Sequence, residues 1–213
     1  MWSQTYLIIA SYFLGAIPIG LLITKLKGID IRSVGSGNIG ATNVFRAVGK
    51  NWGIITFIGD ALKGFIPTYF FPIWAHQTIH DSSEPILSIL CGCTAIAGHN
   101  WPIYLKFKGG KGVATSAGFL VGIAPQAVGI GCGIWILLFA ISRYVSVASI
   151  AASITIIIVG WVLYSSKGLL LPTTLTILGF VVIWRHRSNI VRLKEGTEHR
   201  FATSEIKKEK DEN

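Results

Sequence analysis

Seven mostly apolar stretches, separated by short polar loops, are what most restricts the folds open to this chain. A helix crossing a bilayer needs about 20 apolar residues, because the hydrocarbon core is about 30 Å thick and each residue rises about 1.5 Å. The stretches run over residues 4–24, 52–74, 85–101, 113–124, 126–142, 146–164 and 169–184. The fourth and fifth are short, rich in glycine and separated by little more than Pro125, which suits a tight hairpin or a broken pair. The first stretch has no basic residue before it and no cleavage site leading into a soluble region, so it reads as a retained helix. With 51% hydrophobic and 14% charged residues, the chain lies outside the composition of soluble domains. The expected fold is all-α: one polytopic domain over residues 1–201, a bundle of seven transmembrane helices. Residues 202–213 alternate in charge with little to bury and are expected to be a disordered tail.

A net charge of +9 would suggest a nucleic-acid partner in a soluble protein, so the distribution of charge decides its meaning. With seven spans, Lys25, Lys27, Arg32, Arg46, Lys50, Lys106, Lys108, Lys111, Arg143 and the C-terminal basic residues all share one side. Only Lys63, inside a span, and Lys167 stand apart. Cytoplasmic loops retain Lys and Arg, which puts the N-terminus outside, the C-terminus in the cytoplasm and the basic loops on the cytoplasmic face. The expected partner is membrane lipid, not nucleic acid. Cys91, Cys93 and Cys132 fall in apolar stretches without the second pair that a zinc site needs, and read as small buried residues.

Three polar segments carry the chemistry. G-S-G-N-I-G-A-T-N-V-F-R (35–46) contains a formal G-x-G-x-x-G, but the strand and βαβ unit of a dinucleotide site are missing. What survives is anion binding. Gly37 and Gly40 let backbone N–H groups approach, Ser36, Asn38, Thr42 and Asn43 supply hydrogen bonds, and Arg46 supplies charge. G-H-N-W-P (98–102) leads into K-F-K-G-G-K-G-V-A-T (106–115), which lacks the Ser or Thr after Gly-Lys of a Walker loop. Lys108, Gly109, Gly110, Lys111 and Gly112 nevertheless precede a helix N-terminus, which favours an anion through amides, dipole and ammonium charge. R-H-R-S-N-I (185–190) and G-T-E-H-R-F (196–201) follow the last span. On a continuing helix, His186 and Asn189 share a face. The bland readings are turn glycines and lysines that attract anionic lipid; they account for the charges but not for the clustered Ser, Asn and His. Within the second span, Asp60 and Lys63 at i, i+3 are expected to neutralise each other.

Together, and in this order, the segments resemble the three motifs of the bacterial acyl-phosphate:glycerol-3-phosphate acyltransferases, and the likeness covers nearly the whole chain. The resemblance implies transfer of a fatty acyl group from acyl phosphate to the sn-1 hydroxyl of glycerol 3-phosphate at the bacterial inner membrane. The products would be lysophosphatidic acid and inorganic phosphate, in the first acylation of phospholipid synthesis. It implies catalytic roles for Ser36, Arg46, Lys111, His186 and Asn189. Acyl-phosphate binding falls on Gly109, Gly110 and Gly112, and Glu198 is tied to structural integrity, counted here with the substrate-binding residues. The soluble or peripheral enzyme that makes acyl phosphate is a further partner. No metal or cofactor is expected. Because acyl phosphate is an activated anhydride, direct transfer is expected, with the proton going to His186 or to a substrate phosphate and the acyl chain lying between helices. His76 and Asp81 have the H-x4-D spacing of acyl-CoA-dependent glycerophosphate acyltransferases. They fall on the face away from every basic loop, and that reading is set aside. A small organic-phosphate transporter would place its site near the midplane between structural repeats, and no repeat is visible.

Overall fold

The structure, a computed structural model, describes residues 2–79 and 84–201. Asp81 of the H-x4-D spacing and the 202–213 tail lie outside the described residues. All regular structure among the described residues is helical: α1 (Trp2–Ala16), α2 (Ile19–Leu26), α3 (Ala41–Val48), α4 (Lys50–Ile79), α5 (Glu84–Asn100), α6 (Val113–Ile123), α7 (Pro125–Ser142), α8 (Val145–Tyr164), α9 (Leu170–Arg185) and α10 (Arg187–Lys194). Five helical segments are long and apolar enough to cross a membrane; α6 and α9 are shorter apolar helices. The protein is thus an all-α, multi-span membrane protein. The chain divides into two compact units, residues 1–128 and 129–213.

Two expected helices are broken where the sequence supplies a reason. The first span is two helices, because Pro18 has no N–H to donate and ends α1 two residues earlier. The helix expected to run on from the last span stops at Arg185 and restarts at Arg187, with His186 between them at φ −92°, ψ 7°. Conversely, part of the first polar loop is itself helical: α3 is a short amphipathic helix ending at Gly49, whose φ of +99° suits glycine. Residues 113–142 form two helices that break at Ala124, where Pro125 suggests.

The surface is as apolar as the interior, which holds Phe119, Leu87, Ile96 and Leu175 together with small polar residues. Ile58, Leu62, Ile136, Ile158 and Phe180 are exposed along the helices, as lipid-facing side chains would be, while Ser11, Thr56, Thr68, Ser149 and Ser153 are buried. Buried hydroxyls donate to the carbonyl one turn back, as from Thr68 Oγ1 to Gly64 O at 2.7 Å and from Ser153 Oγ to Ser149 O at 2.8 Å. Cys91 fits the interior expected of it, whereas Cys132 is exposed on α7, so small size did not bury it.

With no hydrophobic drive between helices in lipid, close backbone approach carries the packing. In the first unit, a Cβ on Gly15 would collide with the Ala95 carbonyl and one on Gly98 with the Tyr12 carbonyl, which binds α1 to α5. Likewise Gly64 meets the Thr115 carbonyl and Gly118 the Ala61 carbonyl, which binds α4 to α6. In the second unit, Gly160 packs on Leu175 and Gly179 on Ile157, and Trp135 Nε1 donates to Ser149 Oγ at 3.1 Å between α7 and α8. Gly118→Leu should therefore lower the Tm in detergent by roughly 2–12 °C, since overpacking costs about 1–3 kcal/mol and a chain of this size shifts about 2–4 °C per kcal/mol. Gly129→Leu, at a position with open space around it, should leave the Tm unchanged or higher; equal losses in thermal melts of the two proteins would refute the packing argument.

Candidate active site

In the first unit both glycine-rich loops are held at one end. Leu21, Ile23, Ile31, Ile39 and Val44 form an apolar cluster beneath the first loop, and Leu105, from the approach to the second, packs against the same cluster. Gly20 on α2 lets the Ile39 carbonyl come close. The Pro18 break thus starts the helix whose surface carries the first loop.

The first loop is built around one side chain. Asn43, 2% exposed, directs its amide nitrogen to the carbonyls of Ile31 (3.2 Å), Val34 (2.9 Å) and Asn38 (2.9 Å). Its Oδ1 accepts from Ser36 N at 3.2 Å. The expected substrate hydrogen bonds of Asn43 are therefore spent inside the loop, and the residue acts as a clamp. Asn38 Oδ1 likewise accepts from Gly40 N at 2.8 Å, ahead of α3. Gly35 and Gly37, at φ +57° and +67°, make the reversals that present Ser36, half-buried, with its Oγ accepting a long 3.4 Å bond from Asn38 N. Thr42 and Arg46 follow at i, i+4 on α3.

Charge in this loop is divided by pairing. Arg32 donates to both oxygens of Asp30, at 2.9 and 2.7 Å, and its backbone N–H adds a third bond at 3.1 Å. These bonds from Arg32 hold the Asp30 carboxyl at a pKa of about 2. Arg32 is thus a structural cation, bound within its own turn.

The second loop corrects one part of the expectation. Gly109 N–H donates to Asn100 O at 3.2 Å and Gly110 N–H to His99 O at 3.1 Å, so these amides cap the end of α5 and are not bare donors for an anion. The reason for glycine here is contact: a Cβ on Gly109 would strike the His99 carbonyl, and one on Gly110 the His99 ring. Lys106 and Phe107, both left-handed at φ +50° and +62°, turn the chain back to reach that end. Gly112, at φ +79°, is the N-cap of α6, so the anion-binding features that remain are the α6 N-terminus and half-buried Lys111; Lys108 is exposed.

Beside that N-terminus the structure adds residues the sequence did not single out. Asn100 and Thr115 are fully buried and Ser116 nearly so; among the described residues, the Asn100 amide and both hydroxyls find no hydrogen-bond partner. Asn100 Oδ1 lies 2.7 Å from where a Gly112 Cβ would stand. Buried polar groups without partners cost about 1–3 kcal/mol each unless a ligand or water fills the need. A signal existed: all three are polar residues in the two helical turns flanking a glycine–lysine loop.

In the second unit, His186 is 2% exposed, and its Nδ1 stands 2.8 Å from the Val182 carbonyl. A carbonyl only accepts, so Nδ1 carries the proton in this contact. Asn189 N–H donates to His186 O at 2.9 Å, joining the two residues through the backbone. The Asn189 side chain turns instead to Glu198, Nδ2 to Oε1 at 2.6 Å. Glu198 also accepts from Ser146 Oγ at 2.8 Å and Arg192 Nε at 2.8 Å, and its side chain is 7% exposed. Phe201 N–H donates to Arg143 O at 3.0 Å, and the Phe201 ring meets Phe139 edge-on at 5.4 Å, so the segment after α10 docks at the α7–α8 turn.

Burial pushes the Glu198 carboxyl up, but the bonds from Asn189, Ser146 and Arg192 outweigh it and hold the pKa below the ordinary glutamate value. A depressed carboxylate contributes stability that is present above its unfolded pKa of about 4.3 and is lost as pH falls through the lower folded value. Thermal melts of the parent should therefore drop below about pH 4. Glu198→Gln should be less stable at neutral pH by about 1.5–3 kcal/mol, the worth of hydrogen bonds to a charged group. It should also show a flatter acid limb, and parallel acid limbs would exclude the assignment.

Known proteins match this arrangement along its length. A family model described as glycerol-3-phosphate acyltransferase matches residues 5–196. The glycerol-3-phosphate acyltransferase of Geotalea daltonii is 45% identical over 203 residues, covering 94% of this chain and 99% of its own length. That of Aquifex aeolicus is 41% identical over 196 residues, covering 92% and 98%. The crystal structure of PlsY, an integral membrane glycerol 3-phosphate acyltransferase in its glycerol 3-phosphate form, superimposes with a TM-score of 0.85 at 41% identity, covering 96% of this chain and 98% of that one. Its lysophosphatidic acid form gives 0.81 at 40% identity. With three motifs in order and a matching fold, the chain belongs to the bacterial acyl-phosphate:glycerol-3-phosphate acyltransferase family.

Proposed function

We propose that the two glycine-rich loops of the first unit each take one of the two phosphates in the family reaction. That reaction transfers an acyl group from acyl phosphate to glycerol 3-phosphate and forms lysophosphatidic acid. The observation that carries the reading is the shared apolar cluster: Leu105 of the second loop packs against the same cluster that holds Ile31, Ile39 and Val44 of the first. Acyl phosphate is assigned to the α6 N-terminus with Lys111, where unsatisfied Asn100, Thr115 and Ser116 lie close by. Gly109, Gly110 and Gly112 serve that site by letting the loop lie against the end of α5. Glycerol 3-phosphate is assigned to Arg46 with Thr42, and Ser36 donates its hydroxyl proton to a substrate oxygen. Asn43 holds this loop in shape.

Direct transfer needs little covalent help from the enzyme, because the donor is already a mixed anhydride. The acceptor hydroxyl attacks the acyl carbon, the acyl–phosphate bond breaks, and the leaving phosphate departs against Lys111 and the α6 amides. The hydroxyl proton can pass to a substrate phosphate, and a part for His186 in the reaction rests on the resemblance alone; within the second unit, Asn189 and Glu198 fix the turn on which His186 sits. The membrane reading goes with this chemistry: seven spans, with α6 and α9 as the two short ones, the N-terminus outside, and the basic loops in the cytoplasm where phosphorylated substrates are found. A single domain over residues 1–201, with 202–213 as its tail, completes the proposal.

Purified protein given palmitoyl phosphate and labelled glycerol 3-phosphate should release labelled lysophosphatidic acid and one equivalent of phosphate. Lys111→Met should raise the KM for palmitoyl phosphate by about tenfold to a hundredfold, and His186→Asn should lower kcat by about 10²–10⁴. Mass spectrometry of protein quenched with palmitoyl phosphate alone should find no acyl group on Ser36; an acyl-serine would replace direct transfer with a two-step route.

A further inference from the structure

The buried ion pair of α4 lies outside both loops, yet its contacts reach toward each of them. Asp60 and Lys63 are each 3% exposed, and Lys63 Nζ stands 2.8 Å from Asp60 Oδ1, so the pair meets as the i, i+3 spacing expects. Lys63 Nζ also donates to the carbonyl of Ile17 at 2.8 Å, at the break between α1 and α2. Pro18 makes that break, and the helix after it carries Gly20 against Ile39 of the first loop. On its other side, Asp60 Oδ1 lies 3.7 Å from His99 Nδ1, beyond hydrogen-bond length, so this link is a close electrostatic contact. His99 is 5% exposed; its ring abuts Gly110, and its carbonyl accepts the Gly110 N–H. One element thus touches the hinge of the first loop's supporting helix and the residue on which the second loop rests.

Stability alone is a weak reason for such a pair. Ionisable groups inside membrane spans are expensive, and replacing a buried pair with apolar residues of similar volume is often neutral or stabilising. We infer that Asp60 and Lys63 are positioning residues for the acyl transfer, a bridge through Ile17 and His99 that fixes the two phosphate loops relative to each other. Neither residue touches substrate in this account. The inference rests on the assignment of phosphates to the two loops, and its effect is on where those loops stand.

The test is the double variant Asp60→Leu/Lys63→Met, which removes both charges and keeps volume, so no buried charge is left alone. Its Tm in detergent should match the parent, while KM for palmitoyl phosphate and for glycerol 3-phosphate should each rise about tenfold, since displacements near 1 Å cost up to about a hundredfold. A stable double variant with parent KM values for both substrates overturns the inference. His99→Leu, which removes only the ring between Asp60 and Gly110, tests it independently should the double variant not fold. It should raise the KM for palmitoyl phosphate about fivefold and leave that for glycerol 3-phosphate within about twofold, because only the second loop loses its support. A parent-like split would overturn the bridge. Lys111→Met separates the two levels: an unchanged KM for palmitoyl phosphate there removes the loop assignment itself. A raised KM there, with a parent-like double variant, removes only the bridge.

Discussion

In hydrocarbon no water is available to a polar group that has lost its partner, and this constraint governs how the protein is built. Serine and threonine inside the helices turn back on their own carbonyls. The Ile17 carbonyl at the Pro18 break is met by a lysine from another helix. The last carbonyls of α5 are met by the amides of Gly109 and Gly110. Each solution joins a break in helical structure to a neighbouring element, so the places where helices fail are also where the loops are fastened. The atoms around Asn100, Thr115 and Ser116 break this pattern, which is why they mark where a ligand is wanted.

Electrostatics follows the same logic of assignment. Several of the basic residues that make this chain positive act within the fold: Arg32 is spent on Asp30, Arg192 on Glu198 and Lys63 on Asp60. Others lie over aromatic rings, Lys27 on Trp52 and Arg187 on Trp184, where cations gain from the ring face. The count of cations in the loops therefore overstates the charge offered to a substrate. Position in the loop separates them better than charge does: Asp30–Arg32 is a local pair two residues apart, whereas Arg46 sits a helical turn after Thr42.

The all-α, multi-span character and the approximate extent of the long apolar helices were legible in the sequence because apolar length is a strong signal in a membrane chain. The pair that meets at Pro125 was legible for the same reason, although α7, expected to be short, is long enough to span. The break at Pro18 was readable but was passed over, since a continuous apolar run hides a proline that lipid-facing packing tolerates. The α3 helix was not legible beneath its glycines and polar residues; its anchor is tertiary, with Val44 buried on Ile31 and Ile39. The motif residues were found, but some of their partners were not. Asn43 carries the same atoms whether it holds a substrate or holds its own loop, and only its burial against three carbonyls tells which. Similarly, Gly109 and Gly110 looked like open donors until the end of α5 was seen to occupy them.

The Asn43 clamp has a consequence for the chemical ageing of the protein. Asparagine side chains deamidate slowly to aspartate, and at most positions the added charge is tolerated at the surface. Here the change would replace two N–H donors with a carboxylate oxygen facing the carbonyls of Ile31, Val34 and Asn38, so that bonds become repulsions. No other side chain of similar length offers both the donors and the acceptor that Ser36 N–H requires. Because Asn43 is buried in the first turn of α3, its rigid backbone resists the cyclisation through which deamidation proceeds. The helix that begins there thus also guards the loop's least replaceable atom against time.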